Sequence, residues 1–383
     1  VLTTFVALEM VIGACGLLLL PVLLNLDLGM AVLGELGTSL TVKFVVSLLV
    51  LAVPTICMGA TYPVLAAGVI LHQRDMGSQV GWLYTLNTAG AVLGALFGGF
   101  FLIPHLGLDG AVYVACGLNL CVVIMGIYLR GQLAAQRLEA PTADSGTSGA
   151  PQADRHDSLH VRVAVVLFFT GFVAIASEVG WTKYLSIFTG ATIYGFAAIL
   201  GVFLIGIALG SWTAKRYLRM HIAPPVTVAW ALAVLGASLL FARVGLAQLP
   251  GVLEFLRALD WSDDLAQGRK YLAVFVVLFP AAFVFGGLFP VTLSMYCVRV
   301  ADLRHRIGKG YAINTLGSIL GAVAAGFWII PYFGTDVLLT ATVVATLVLS
   351  WLFVDAHARL RQRAVALALT GMLLAGTWQL PHL

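Results

Sequence analysis

Eleven stretches of this chain run for about twenty residues with few charges, near 1–24, 45–70, 83–104, 110–129, 162–182, 191–213, 225–247, 271–298, 312–333, 336–354 and 364–380. That is the length of helix needed to cross a bilayer. No water reaches a backbone in lipid, so each such segment must satisfy its own N–H and C=O groups, which a helix does. The chain is therefore read as an all-α polytopic membrane protein with ten clear spans and a weaker eleventh at 364–380. Composition agrees: 61% of the residues are hydrophobic and 10% charged, with a mean hydropathy of +1.01. Soluble domains carry roughly 25% charged residues.

Lys and Arg concentrate on the cytoplasmic side of membrane proteins. Alternate loops hold Arg74; Arg130, Arg137, Arg155 and Arg162; Lys215, Arg216 and Arg219; Arg299, Arg304, Arg306 and Lys309; and Arg359, Arg361 and Arg363, which is 15 of the 21 basic residues. The opposite loops carry Asp27, Glu35, Glu254, Asp260, Asp263, Asp264 and Asp336. The basic side is expected in the cytoplasm of a plasma membrane of the bacterial inner-membrane type. The net charge of +4 is accounted for by these loops and calls for no nucleic acid.

The five cysteines, Cys15, Cys57, Cys116, Cys121 and Cys297, lie inside apolar segments without a C-x-x-C pair or a histidine at ligand spacing. They read as small buried hydrophobes, and no metal site is expected from them. His156 and His160 are four residues apart but fall in a polar tract, where solvated side chains are the better reading.

The chain writes "YTLNTAGAVLGALFGGFFLIPHLGLDG" from Tyr84 to Gly110 and "YAINTLGSILGAVAAGFWIIPYFGTDV" from Tyr311, a constant 227 residues later. Gly59–Asp109 and Gly286–Asp336 align without a gap at 18 identities in 51 positions. Six spans separate equivalent helices, so both copies enter from the same side and are parallel repeats about an axis along the membrane normal. The same offset sets Val1 opposite Val228, in the third span of the second copy. The expectation is two parallel six-helix repeats, the first without its first two helices, in a stretch of a longer protein; a natural ten-helix form is the alternative. The parts are then 1–130 (the last four helices of the first repeat), 131–160 (a flexible cytoplasmic linker rich in Ala, Gly, Ser, Pro and Asp), 161–356 (the six-helix second repeat) and 357–383 (a basic segment and the weak span).

Polar groups inside a bilayer are functional candidates by default. Glu9 sits at a position equivalent to about twelve residues into a helix, roughly 18 Å deep at 1.5 Å per residue, and its equivalent in the repeat register is Gly236. Cation or proton binding and a protonated, hydrogen-bonded glutamate are both open for it. Glu178 and Trp181 in "SEVGWTKYL" share a helix face and are expected near the outer interface, with Tyr184 as an interfacial ring and Lys183 snorkelling outward. They either hold a cation between carboxylate and indole or form an interfacial anchor. Tyr84, Asn87 and Thr88, with Tyr311, Asn314 and Thr315, form a symmetric pair of polar clusters beside the basic loops. Substrate binding or gating is one reading; interhelical hydrogen bonding is the other.

Gly90, Gly94 and Gly98, at four-residue spacing, and likewise Gly206 with Gly210, mark close helix packing. In a two-halved transporter the helix at 83–104 is fifth in its half and that at 191–213 second in the other, so these are expected to meet. The equivalent face of Gly317 and Gly321 is expected to meet the absent second helix. Pro54, Pro63, Pro280 and Pro290 are expected to interrupt their helices.

Together "SEVGWTKYL…GATIYGFAAILGVFLIGIALGSW", "CMGATYPV" and "YTLNTAGAVLGALFGGFFLIPHLG" resemble the membrane region of fused major-facilitator/spermidine-synthase-like proteins. The family's E-x-x-W-T-R pattern falls on Glu178, Trp181, Thr182 and, with Lys for Arg, Lys183; its M-G-A-T-x-P pattern falls on Met58 to Pro63. Its Y-x-x-N-T-x-G pattern falls on Tyr84 to Gly90 and Tyr311 to Gly317. The resemblance implies a major-facilitator-like fold and a link to polyamine chemistry through a cytosolic aminopropyltransferase-like domain. No G-x-G-x-x-G or catalytic acid of such a domain is in this chain, so no catalytic residue and no cofactor is expected.

Three readings remain. The chain is a transporter-like module for a polyamine or another small cation; or a membrane anchor whose partner is a synthase-like domain; or a subunit held among other membrane subunits. Membrane lipid is a partner in all three.

Overall fold

The computed structural model describes residues 1–25, 39–69, 76–139, 157–220, 225–257, 263–297 and 303–353. The expected span at 364–380 and the centre of the expected linker, 140–156, lie outside them. The described residues form ten α-helices and no strand. These are α1 (Leu2–Leu24), α2 (Leu40–Val69), α3 (Met76–Phe97), α4 (Ile103–Glu139), α5 (Asp157–Thr189), α6 (Ile193–Met220), α7 (Pro225–Arg257), α8 (Asp263–Tyr296), α9 (Leu303–Val323) and α10 (Ile330–Ser350). Helix thus extends to Glu139 and restarts at Asp157, further into 131–160 than the loop-like composition implied.

Among the described residues, eight helical stretches are long and apolar enough to cross a bilayer, which makes this a multi-pass membrane protein. Two of them, Gly81–Gln132 with 52 residues and Arg306–Ser350 with 45, exceed what one crossing needs. Each is interrupted by one glycine, Gly107 (φ 72°, ψ 178°) or Gly334 (φ 86°, ψ 166°). An L side chain is strained at such a φ, whereas glycine adopts it freely. The two glycines are 227 residues apart, as are Met76 and Leu303, which open α3 and α9, and Ile103 and Ile330, which open α4 and α10. A π-helical segment precedes α4 (Gly98–Leu102) and another precedes α10 (Ala324–Ile329).

Two compact units result. The first comprises Val1–Leu71 and Phe101–Ala150, and so holds α1, α2 and α4. The second comprises His72–Phe100 and Pro151–Leu383. Helix α3 thus belongs to the second unit, although the repeat assigned it to the first. The reason lies in its contacts. It runs antiparallel to α6, with Gly81 against Lys215, Leu96 against Gly201 and Gly99 against Ala197. The Thr85 and Ser211 hydroxyls, both buried, hydrogen-bond across the pair at 2.9 Å. Lys215 Nζ stands 3.7 Å from the centre of the Trp82 ring, near enough for cation–π attraction.

Glycines bring helices of the second unit close together. Along α6 and α8, a Cβ on Gly210 would meet the Phe283 carbonyl oxygen, and one on Gly286 the Ile207 backbone. Along α5 and α9, Gly317 and Gly321 rest on the backbone of Phe168 and Phe172. In lipid, where apolar burial gives little drive, such proximity gains dispersion that larger residues would block. The Gly317 and Gly321 face therefore meets α5 of the same unit and not an absent helix. Gly90, Gly94 and Gly98 have no atom within 4 Å of a Cβ placed on them. α3 reaches α6 with a different face from the glycine one.

The four prolines do not interrupt their helices. Pro54 and Pro63 lie inside α2, and Pro280 and Pro290 inside α8. Threonine hydroxyls satisfy carbonyls next to two of them: Thr55 Oγ1 donates to the Leu51 carbonyl at 2.7 Å, and Thr292 Oγ1 to that of Leu288 at 2.8 Å.

Candidate functional site

The interior of the second unit holds a column of aromatic rings headed by a carboxylate. On α5, Trp181 is 1% exposed and packs edge-on against Phe203 of α6, with centroids 6.0 Å apart. Phe203 meets Phe285 of α8 at 6.3 Å. One turn along α8, Phe289 lies 4.8 Å from the Tyr84 ring and 6.1 Å from that of Tyr311. These spacings are those of favourable aromatic pairs. Glu178, half-buried, stands one turn before Trp181 on α5 and has no hydrogen-bond or ion-pair partner among the described residues.

Trp181, expected among the interfacial rings, is buried inside the protein, where α5 packs against α6, α8, α9 and α10. Tyr184 is tied inward too, donating from its hydroxyl to the Leu246 carbonyl at 3.1 Å, while Lys183 is exposed. Tyr84 and Tyr311 both pack against Phe289, a meeting that two equivalent sequence positions did not reveal without the helix arrangement. Thr88 Oγ1 donates to the Tyr84 carbonyl of its own helix at 2.8 Å. Asn87 is exposed, Thr315 is half-buried, and the Asn314 carbonyl lies against Gly171. The two Tyr–Asn–Thr motifs thus share only their tyrosines in one cluster. His160 lies 3.4 Å from Arg306 Nη1, and His156 lies outside the described residues.

Sequence reasoning missed a buried ion pair. Arg243 Nη2 on α7 is 2.6 Å from Asp336 Oδ1 on α10, and Arg243 is 2% exposed. Its Nε and Nη1 are buried without a hydrogen-bond partner among the described residues. A lone arginine in the apolar run "LLFARVGLAQL" was the available signal, since a charge within a span requires a partner.

In the first unit, Glu9 is half-buried and accepts a hydrogen bond from Asn119 Nδ2 at 2.6 Å, joining α1 to α4. Asn119, a second polar residue in an apolar span, was also overlooked. Interhelical hydrogen bonds in membranes contribute roughly 0.6 to 2 kcal/mol. Glu9→Gln, which preserves an acceptor, is expected to change unfolding free energy by less than about 0.6 kcal/mol, and Glu9→Leu to lose about 1 to 2 kcal/mol. SDS titration of the protein in mixed micelles reads both; equal losses would remove the hydrogen bond from the account.

Among the described residues no three His, Cys, Asp or Glu side chains group as a metal site. No protein-family model, curated protein or solved structure matches the chain.

Proposed function

We propose that the chain is a transporter-like membrane module for a small organic cation, polyamines included, built as two pseudo-symmetric halves of major-facilitator type that rock against each other. The observation that carries this reading is Glu178, a carboxylate within a membrane helix without an ion-pair partner among the described residues, one turn from buried Trp181 at the head of the aromatic column. Intramembrane carboxylates of this kind mark ion and substrate pathways, and aromatic faces attract organic cations. The sequence resemblance to fused major-facilitator/spermidine-synthase-like proteins supports the same class of solute.

A second reading, a subunit of a larger membrane complex, is supported by the open face at Gly90, Gly94 and Gly98, which a foreign helix would fit. The anchor reading has only the resemblance behind it.

Uptake and efflux of radiolabelled putrescine and spermidine in proteoliposomes test the proposal. The unaltered protein is expected to give flux above that of protein-free vesicles, and Glu178→Gln to reduce it at least tenfold. Flux indifferent to Glu178→Gln would sink the assignment of this carboxylate. No flux from folded protein would remove these solutes and favour the complex-subunit reading.

A further inference from the structure

Fifteen of the 21 basic residues fall in the loops at one end of the helices, and the segments at the other end are acidic. Arg269 and Lys270 break that pattern. They stand side by side at the acidic end, where the membrane-spanning part of α8 begins at Gly268. The rule that sets topology does not favour cations there, so this pair calls for a reason of its own. Asp263 and Asp264 open the same helix, but neither lies three or four residues before Arg269 or Lys270, the spacing at which neighbours on a helix pair. Both cations are half-buried, and Lys270 makes no hydrogen bond or ion pair among the described residues.

Arg269 lines one end of a groove of about 380 Å³ between α7 and α8, in the range of small-ligand sites. The two helices are antiparallel, and the groove follows them inward to Gly245 and Val277. The eight residues from 269 to 277 span about 12 Å at 1.5 Å each. Val252, Leu272 and Val276 form apolar walls that are exposed on the outside of the protein, and exposed Gln248 is the other polar residue of the lining. An apolar channel that opens outward and carries positive charge where the span begins matches an amphiphile with an anionic head.

We propose that this groove seats one acyl chain of an anionic phospholipid whose phosphate is held by Arg269 and Lys270. A guanidinium meets phosphate oxygens through paired, charge-assisted hydrogen bonds, and basic residues beside membrane helices attract anionic head groups. With Gly245 against Val277, the antiparallel register sets Gln248 near residue 274, about 7 Å deeper than Arg269. Its amide can donate to the ester carbonyl that follows the phosphate. A neutral lipid would fill the groove and gain nothing from the cations; free phosphate would gain nothing from the apolar walls. The site shares no residue with the aromatic column and stands independently of the transport reading.

Native mass spectrometry of the full chain in micelles tests this, with dioleoylphosphatidylglycerol as the probe. Dioleoylphosphatidylcholine, dihexanoylphosphatidylglycerol and inorganic phosphate are the comparisons. One dioleoylphosphatidylglycerol per chain is expected to be retained, at least fivefold above either other lipid, and phosphate is expected not to displace it. Arg269→Gln and Lys270→Gln are each expected to narrow the preference over phosphatidylcholine at least twofold. Ala273→Phe, which fills the groove and leaves both cations in place, is expected to lower retention at least fivefold. Lys183→Gln, at an exposed cation outside the groove, is expected to change nothing. Raised ionic strength should shrink the preference in the unaltered protein, a readout that no variant's folding can affect. Equal retention of the two dioleoyl lipids by the unaltered protein would overturn the proposal, as would retention untouched by Ala273→Phe. Displacement by inorganic phosphate would also overturn it, leaving a free-anion site in place of a lipid one.

Discussion

Arg243→Met is expected to destabilise the protein by about 3 to 5 kcal/mol, the loss that follows when one member of a buried pair is removed and the other charge is left in place. The pair joins α7 to α10 with Arg243 2% exposed and the two charged atoms 2.6 Å apart. Asp336→Leu alone is expected to be no milder, because it leaves the guanidinium buried when two of its nitrogens already have no hydrogen-bond partner among the described residues. The double variant Arg243→Met/Asp336→Leu is expected to recover most of the loss, since a buried ion pair replaced whole by apolar residues is often neutral or better. The first unit supplies an internal control. Asp109 occupies the equivalent place and is exposed, and the equivalent of Arg243 is Gly16, which has no charge to pair with it, so Asp109→Asn is expected to shift stability by less than about 0.5 kcal/mol, as surface substitutions do. SDS-induced unfolding in mixed micelles, followed by tryptophan fluorescence and circular dichroism, gives all four values. A double variant as unstable as the sum of the singles would show that the two residues act separately and that the pair is not the unit of stability.

How far the sequence led differs from residue to residue, for identifiable reasons. The helices were legible because their length and apolarity answer to the bilayer alone, and the breaks at Gly107 and Gly334 fall where the apolar runs ending near 104 and 333 give way to the next. Partnerships were less legible, because they depend on which helix lies alongside. Trp181 reads as an interfacial ring from its distance along α5, but its burial among the helices around α5 was not legible. Glu9 was identified as an intramembrane acid, but its role as acceptor from Asn119 needed the pairing of α1 with α4, 110 positions apart. Arg243 was hidden in an apolar run whose average absorbs one charge. The aromatic column of Trp181, Phe203, Phe285 and Phe289 draws on three helices, and no local spacing encodes it.

The glycine stripes make this dependence measurable. Gly90 and Gly94 of α3 and Gly317 and Gly321 of α9 are the same motif in the repeat register, and an alanine should act on them with opposite sign. A Cβ at Gly317 would press on the Phe168 carbonyl oxygen and one at Gly321 on that of Phe172. Those are backbone atoms, so no rotamer change relieves the overlap and α5 must move away from α9. Overpacking of this kind costs about 1 to 3 kcal/mol, and in lipid the dispersion lost along the parted helices is the main force that held them together. Gly210→Ala on α6 is expected to behave alike, because its Cβ meets the Phe283 carbonyl oxygen. At Gly90 and Gly94 an added methyl meets nothing within 4 Å, and what remains is the helix preference for alanine over glycine, about 0.8 to 1 kcal/mol in favour of the variant. The helix preference is common to both sets, so they should differ by the overpacking, roughly 1 to 3 kcal/mol, for the same chemical change, read by SDS titration of each single variant in mixed micelles. Loss of stability at Gly90→Ala equal to that at Gly317→Ala would mean that the α3 stripe is covered in the assembled protein, and would move the complex-subunit reading ahead of transport.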